Sequence, residues 1–185
     1  MLRKIGIVII VIVLFQSFMI KDDSFTKYCQ YLKSIDLPLI VDCEQNINYP
    51  DYSNIPEKLD ERFRREGHKT LGRIDLSKNI ISIIQVVQAE NEFPVIYNYK
   101  IDGTPIDSLC LLSGSCSSCP QYVTHSVGSI GIDKKIVMTD SSFYYRIGRN
   151  GYKRVKRDSL VIQKWSCKMD EFGHFNKVLI KKEKK

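Results

Sequence analysis

Three hydrophobic rhythms follow one another along the chain. Residues 5–20 are apolar all round, with only Gln16 and Ser17 interrupting them. Residues 22–35 then place Phe25, Tyr28, Cys29, Leu32 and Ile35 at spacings of three and four, which is one stripe of a helix. Asp22, Asp23 or Ser24 stands where a helix N-cap belongs. Pro38 blocks a simple continuation, and residues 37–41 suit a short strand. A second helix is expected over residues 56–66, with Pro56 in its first turn, Gly67 at its exit, and Leu59 and Phe63 as its apolar pair.

From residue 69 the period shortens to two, and turn residues punctuate it. Strands are expected over residues 70–76, 80–89, 94–101, 104–112, 121–132, 135–147 and 174–180. Residues 152–169 form one long or bulged strand, or two. Asp102-Gly103 and Asn150-Gly151 are hairpin turns of the favoured kind, because these residues tolerate positive φ. Seven or eight strands with such short connections leave no room for helical crossovers and imply an antiparallel meander. The expected fold class is therefore α+β, mostly β: an N-terminal signal or anchor helix, one or two short helices, then the meander. An open sheet, a sandwich and a barrel all fit this pattern.

The first rhythm decides the address. Met1-Leu2-Arg3-Lys4 is a positive leader, and Lys21, Asp22 and Asp23 close the apolar run, which is the layout of a secretory signal. Sixteen residues at about 1.5 Å each span roughly 24 Å, short of a bilayer core of about 30 Å. No small-residue cleavage site stands out, since Ser17 is flanked by Gln16 and Phe18. A cleaved signal peptide and an uncleaved membrane anchor both fit, and either exports the remainder of the chain. A soluble core helix would show a polar face, which this run lacks. The domain reading is residues 1–21 as signal peptide or anchor, 22–180 as a single β-rich domain, and 181–185 as a basic tail.

The stretch FPVIYNYKIDGTPIDSL over residues 93–109 resembles a hairpin of uncharacterised exported proteins of the Bacteroidota cell envelope, which are often lipoproteins. The resemblance extends in layout over residues 40–180 and is specific in that hairpin. It implies an envelope location and carries over no functional residue. The chain departs from the lipoprotein pattern in having no lipobox cysteine after the apolar run.

Composition sharpens this picture in two places. The net charge of +7 is unevenly spread. Residues 146–185 hold thirteen Lys and Arg against four Asp and Glu, so the rest of the chain is slightly acidic. Arg146, Arg149, Lys153, Arg154, Lys156 and Arg157 cluster around the Asn150-Gly151 turn, interleaved with Tyr144, Tyr145 and Tyr152. Cations and stacking rings suit nucleic acid in a cytoplasmic protein. In an exported one they suit an anionic envelope component or an acidic protein partner, and no nucleic acid is expected. The plainer reading is a solvated pair of strands whose cations discourage edge pairing.

The second place is the cysteines. An even set of six (Cys29, Cys43, Cys110, Cys116, Cys119 and Cys167) in an exported chain points to disulfides. Cys29 and Cys43 flank the break between first helix and first strand, and Cys110 and Cys167 suit a cross-strand bridge or the core. Cys116-Ser-Ser-Cys119-Pro120 has the spacing of a thiol–disulfide oxidoreductase. Such enzymes activate the first cysteine at a helix N-terminus, and no helical run comes after it here, so the plainer reading is a disulfide, or a pair of cysteines bridged elsewhere, that stiffens the loop.

Cys116, Cys119 and His125, joined by Cys110 or the distant His174, offer zinc donors, but structural zinc prefers two compact ligand pairs. No metal and no cofactor is expected. His68 is expected at an exposed helix exit. Ser126, Ser129 and Asp133 near His125 do not form a nucleophile elbow. The expected function is an exported, non-enzymatic binding or interaction module, held to or released from the membrane by its N-terminal segment. The alternative is an oxidoreductase using Cys116 and Cys119.

Overall fold

The computed structural model describes residues 23–43, 51–87, 93–112, 114, 116–148 and 154–185. The apolar segment 5–20, with the signal or anchor helix expected there, lies outside them. Among the described residues no helix is long and apolar enough to cross a membrane.

Among the described residues two helices, α1 (Ser24–Tyr31) and α2 (Glu57–Phe63), accompany ten strands. These are β1 (Leu39–Asp42), β2 (His68–Ile74), β3 (Ile81–Val87), β4 (Phe93–Tyr99), β5 (Pro105–Cys110), β6 (Ser117–Ser118), β7 (Tyr122–Ile130), β8 (Ile136–Ile147), β9 (Arg154–Met169) and β10 (Phe175–Lys184). The chain is α+β and mostly β, with antiparallel sheets. Eight of the strands answer to the expected seven or eight of the meander, and β1 to the short strand expected over residues 37–41. β6 is unexpected, because two residues are too few to show a period.

The strands form two sheets rather than one meander. One runs β2-β3-β4-β5; the other runs β1-β7-β8-β9-β10, with β6 also paired to β7. Together with the helices they make three layers. Leu71, Ile84, Val86 and Ile96 of the four-stranded sheet share one core with Leu39, Val41, Ile130, Ile136, Met138 and Cys167 of the other. The opposite face of the four-stranded sheet presents Ile83 and Tyr99 to Phe25 and Tyr28 of α1, with Leu59 and Phe63 of α2 packed alongside. The rings of Phe25 and Phe63 meet edge-on at 5.1 Å, and those of Tyr28 and Phe63 lie 5.0 Å apart. The four-stranded sheet is therefore the middle layer. This explains why β3 reads Ile-Ser-Ile-Ile-Gln-Val-Val without clean alternation: both of its faces are covered, so both must be largely apolar.

Tertiary pairing shortens both helices relative to their patterns. α1 stops at Tyr31 rather than continuing to residue 35. The Arg73 amide of β2 donates to the Lys33 carbonyl at 2.7 Å, and the Ile35 amide donates to the Arg73 carbonyl at 2.8 Å. Asp23 occupies the N-cap without a side-chain capping bond. α2 ends at Phe63, and Gly67 (φ +72°) turns the chain into β2.

The polar groups of the helix layer are linked in series. Tyr28 donates to Thr70 Oγ1 at 3.0 Å, Thr70 donates to Asp60 at 2.7 Å, and Asp60 pairs with Arg64 at 2.7 Å. Residues 181–184, expected as a tail beyond the domain, instead continue β10, pairing Lys181 with Lys164 and Lys184 with Val161. The main-chain ladder to β9 holds them, and composition alone cannot show that such a partner exists.

Candidate functional site

The strongest chemical feature is an arm. β8, β9 and β10 run on past the two-sheet core, and no described side chain of residues 139–147, 154–166 or 175–184 is buried. Its base is clamped. The side-chain amide of Asn98 on β4 donates to the Gly173 carbonyl at 2.7 Å, while its oxygen accepts from Ser82 at 2.7 Å. Asp107 accepts from the Phe175 amide at 2.8 Å. Gly173 (φ +93°) sits where a Cβ would come within 3.0 Å of Ile106 and 3.2 Å of Ile80, so this turn packs tightly onto the middle sheet. A second close approach seats β7: a Cβ on Gly128 would lie 2.1 Å from the Leu111 carbonyl oxygen.

The arm concentrates cations. Residues 154–185 hold ten Lys and Arg against four Asp and Glu. Of the basic cluster read from the sequence, Arg146, Arg154, Lys156 and Arg157 come together where the end of β8 pairs with the start of β9. Arg149 and Lys153 lie outside the described residues.

Arg154 lies over the Tyr145 ring at 4.5 Å and donates to the Cys119 carbonyl at 2.8 Å and to Ser118 at 3.0 Å, so it also fastens the β6 loop. Arg157 lies over Phe143 at 6.0 Å, and Lys177 over Trp165 at 4.5 Å. The register adds what the spacing hides. Arg146 stands directly across from Lys156, and Lys164 directly across from Lys181. The second pair is seventeen residues apart in sequence, and only the strand pairing makes them neighbours. The first turns on knowing which residues bulge.

The cysteines form a second region. Cys43, just past β1, is bonded to Cys116, just before β6. β1 and β6 both lie along one edge of β7, so the bond ties together two segments that share a strand. Cys29, Cys110, Cys119 and Cys167 are free thiols. The Cys116–Cys119 bond weighed for the loop is therefore not the one present, and Cys119 lies beside Gln121, with its sulfur 3.4 Å from Oε1. Burial pushes the thiols of Cys29 and Cys167 up to about 11, and raises that of Cys110. At neutral pH this favours the protonated thiol in all three.

The histidines separate. His125 Nε2 lies 2.8 Å from Asp42 Oδ1, and the ligand atoms of Asp42, Cys43 and His125 all lie within 4.8 Å of one another. Ser126, next in sequence, alternates to the buried face of β7 and donates to Asp140. The neighbouring serine thus points away from the imidazole, because successive strand residues face opposite sides. Ser129 donates to the Val137 carbonyl, and Asp133 belongs to the β7–β8 turn with Lys135. His68 sits between the Glu66 carbonyl at 2.8 Å and the Tyr97 hydroxyl at 3.1 Å. His174 lies 3.9 Å from Asp107, far in the fold from the Cys116 loop it was weighed with. The pairing of His125 with Asp42 has no local signal, since the two are 83 residues apart.

No protein-family model, curated protein or solved structure matches the chain.

Proposed function

We propose that this chain is a non-enzymatic interaction module of the cell envelope, exported behind its apolar N-terminal segment, whose cationic arm binds an anionic envelope surface. The observation that carries this reading is the facing of like charges in the arm, Arg146 against Lys156 and Lys164 against Lys181. Like charges directly opposite in an antiparallel pair cost roughly 0.2–1 kcal/mol. Asp158 at 3.3 Å from Arg146 and Glu183 at 2.8 Å from Lys181 relieve this in part. An anion held between the opposed cations would turn each repulsion into attraction, and a base clamped to the core would present the arm rigidly. The leader pattern and the hairpin resemblance support the envelope setting.

Vesicle co-sedimentation tests the reading. The protein is expected to bind phosphatidylglycerol vesicles, to ignore phosphatidylcholine vesicles, and to lose binding as salt rises. An acidic polysaccharide in a parallel arm separates lipid phosphate from carboxylate as the anion. The double variant Lys164→Gln/Lys181→Gln should weaken vesicle binding roughly 30-fold, at about 1 kcal/mol per cation near an anionic surface. It should leave the fold as stable or slightly more so, because it removes a repulsion. Binding that ignores vesicle charge and polysaccharide alike, or a double variant that binds both as the native chain does, overturns the proposal.

A further inference from the structure

We propose that Asp42, Cys43, Cys116 and His125 form a redox-gated site for a zinc-class divalent cation, closed by the disulfide in the oxidised chain and opened when that bond is reduced. The inference is independent of the cationic arm.

The donor set has the right chemistry. One carboxylate oxygen, one imidazole nitrogen and two thiolates match the four-coordinate preference of zinc. Three of the four donors are already gathered, since the ligand atoms of Asp42, Cys43 and His125 lie within 4.8 Å of one another. The fourth, Cys116, is bonded to Cys43 and so cannot be distant.

The scaffold holds these donors in place. Asp42 pairs with Val127 across the β1–β7 ladder, and the Cys43 amide donates to the Ser126 carbonyl at 3.2 Å. The Ser126 amide donates to Cys43 Sγ at 3.2 Å. A main-chain donor aimed at sulfur stabilises a thiolate ligand more than a disulfide sulfur, and such outer contacts are a usual feature of metal sites. The side chains of His125 and Asp42 are 25% and 22% exposed, which leaves a path for an ion.

His125 and Asp42 need only turn their side chains, and the larger shift falls on Cys116. Two thiolates at about 2.3 Å from a tetrahedral ion sit roughly 3.8 Å apart. Cys116 can supply that shift by a turn of its own side chain, since it stands just before β6 and outside the β6–β7 ladder.

The chemistry balances with a dithiol as reductant. The dithiol gives two electrons and two protons, becomes a disulfide, and breaks the Cys43–Cys116 bond to leave two thiols. Cation binding then displaces the two thiol protons to solvent. The Nε2 proton that His125 shares with Asp42 is also given up to solvent while Nδ1 holds one, so that the imidazole binds neutral through Nε2. Its Nε2 and Asp42 Oδ1 turn from each other to the ion. Oxidation by a disulfide reverses each step and releases the cation. Either closure staples the end of β1 and the start of β6 to the same edge of β7, so the segment stays fastened in both redox states.

Cobalt(II) serves as the probe. The full chain is reduced with dithiothreitol, desalted under anaerobic conditions and titrated with cobalt(II), and zinc affinity is read by displacement. The reduced chain should bind one ion with a thiolate-to-cobalt charge-transfer band and the intense visible bands of a tetrahedral site. The oxidised chain should show neither. His125→Ala and Cys43→Ser should each lower affinity by at least about tenfold. Cys119→Ser and His174→Ala should leave the spectrum unchanged. Circular dichroism checks that each variant is folded, and Asp42→Asn offers a milder change if Cys43→Ser is not. The proposal is overturned if the reduced chain gives no charge-transfer band, if the oxidised chain gives the same one, or if the band survives His125→Ala at native affinity.

Discussion

The middle sheet and the β8–β10 arm are built from the same kind of strand and meet opposite fates. β3 has five of its seven residues buried, covered by helices on one face and by the second sheet on the other. In β10, by contrast, Val178, Leu179 and Ile180 are 59%, 46% and 53% exposed. The middle sheet carries stability through apolar area removed from water, at roughly 25 cal/mol per Å². The arm is held by its ladder, by rings under its cations and by the clamp at its base. A region that gains little from burial is free to carry charges that a core cannot, which is why the opposed cations sit there.

Substitutions can test that division of labour, beginning with the middle layer. Ile84→Ala should cost about 3–4 kcal/mol, because both sheets close around the cavity it leaves. A urea midpoint shifted by less than a third of that would show the middle layer to be loosely packed.

Alkali should act next, and on the same layer. Burial pushes the Tyr99 hydroxyl up to about 12, above its unfolded value near 10. Its stabilising share is therefore intact below pH 10 and lost as pH rises toward 12, a loss on the order of 2 kcal/mol. Tyr28 is pushed higher still by burial and acts in the same direction. Far-UV and tyrosine absorbance should show unfolding that coincides with ionisation. Ionisation without unfolding would mean that water reaches the helix layer.

The clamp comes third. Asn98→Ala removes the bond to the Gly173 carbonyl and leaves buried Ser82 without its acceptor. A cost of about 1–2 kcal/mol is expected, with amide exchange accelerated in β9 and β10 before β3. Equal acceleration in both sheets would show that the arm is not a separate unit.

Smallest of all should be Ile180→Ser, within about 0.5 kcal/mol, because the side chain already meets water. A cost near that of Ile84→Ala would mean that something covers the arm in solution.

Much of the secondary structure was legible. Eight strands fall between the turn signals, and Asp102-Gly103 with positive φ at Gly103 joins β4 to β5 as its chemistry requires. The candidate sites were less so. Four of the six basic cluster residues come together, because they flank one hairpin and hairpin geometry is local. The Cys43–Cys116 bond and the contact of His125 with Asp42 were not legible, since nothing near any of those residues announces a partner. The Cys-Ser-Ser-Cys spacing marked a bridged loop without naming the bridge, which runs from Cys116 to Cys43 and leaves Cys119 free.

By itself the sequence determined where strands begin and turn, which faces are apolar, and that the cations gather at the C-terminal end. Those properties arise from turn chemistry, side-chain period and composition, all of which act within a few residues. Only the tertiary structure decided that the strands divide into two sheets, that Lys164 faces Lys181, and that β1 lies along β7 so that Asp42 and Cys43 meet His125. The first and last depend on closing long loops, chosen by the packing of the whole core rather than by the residues joined. The second depends on the bulge between Leu179 and Lys181 that sets the register of the β9–β10 hairpin.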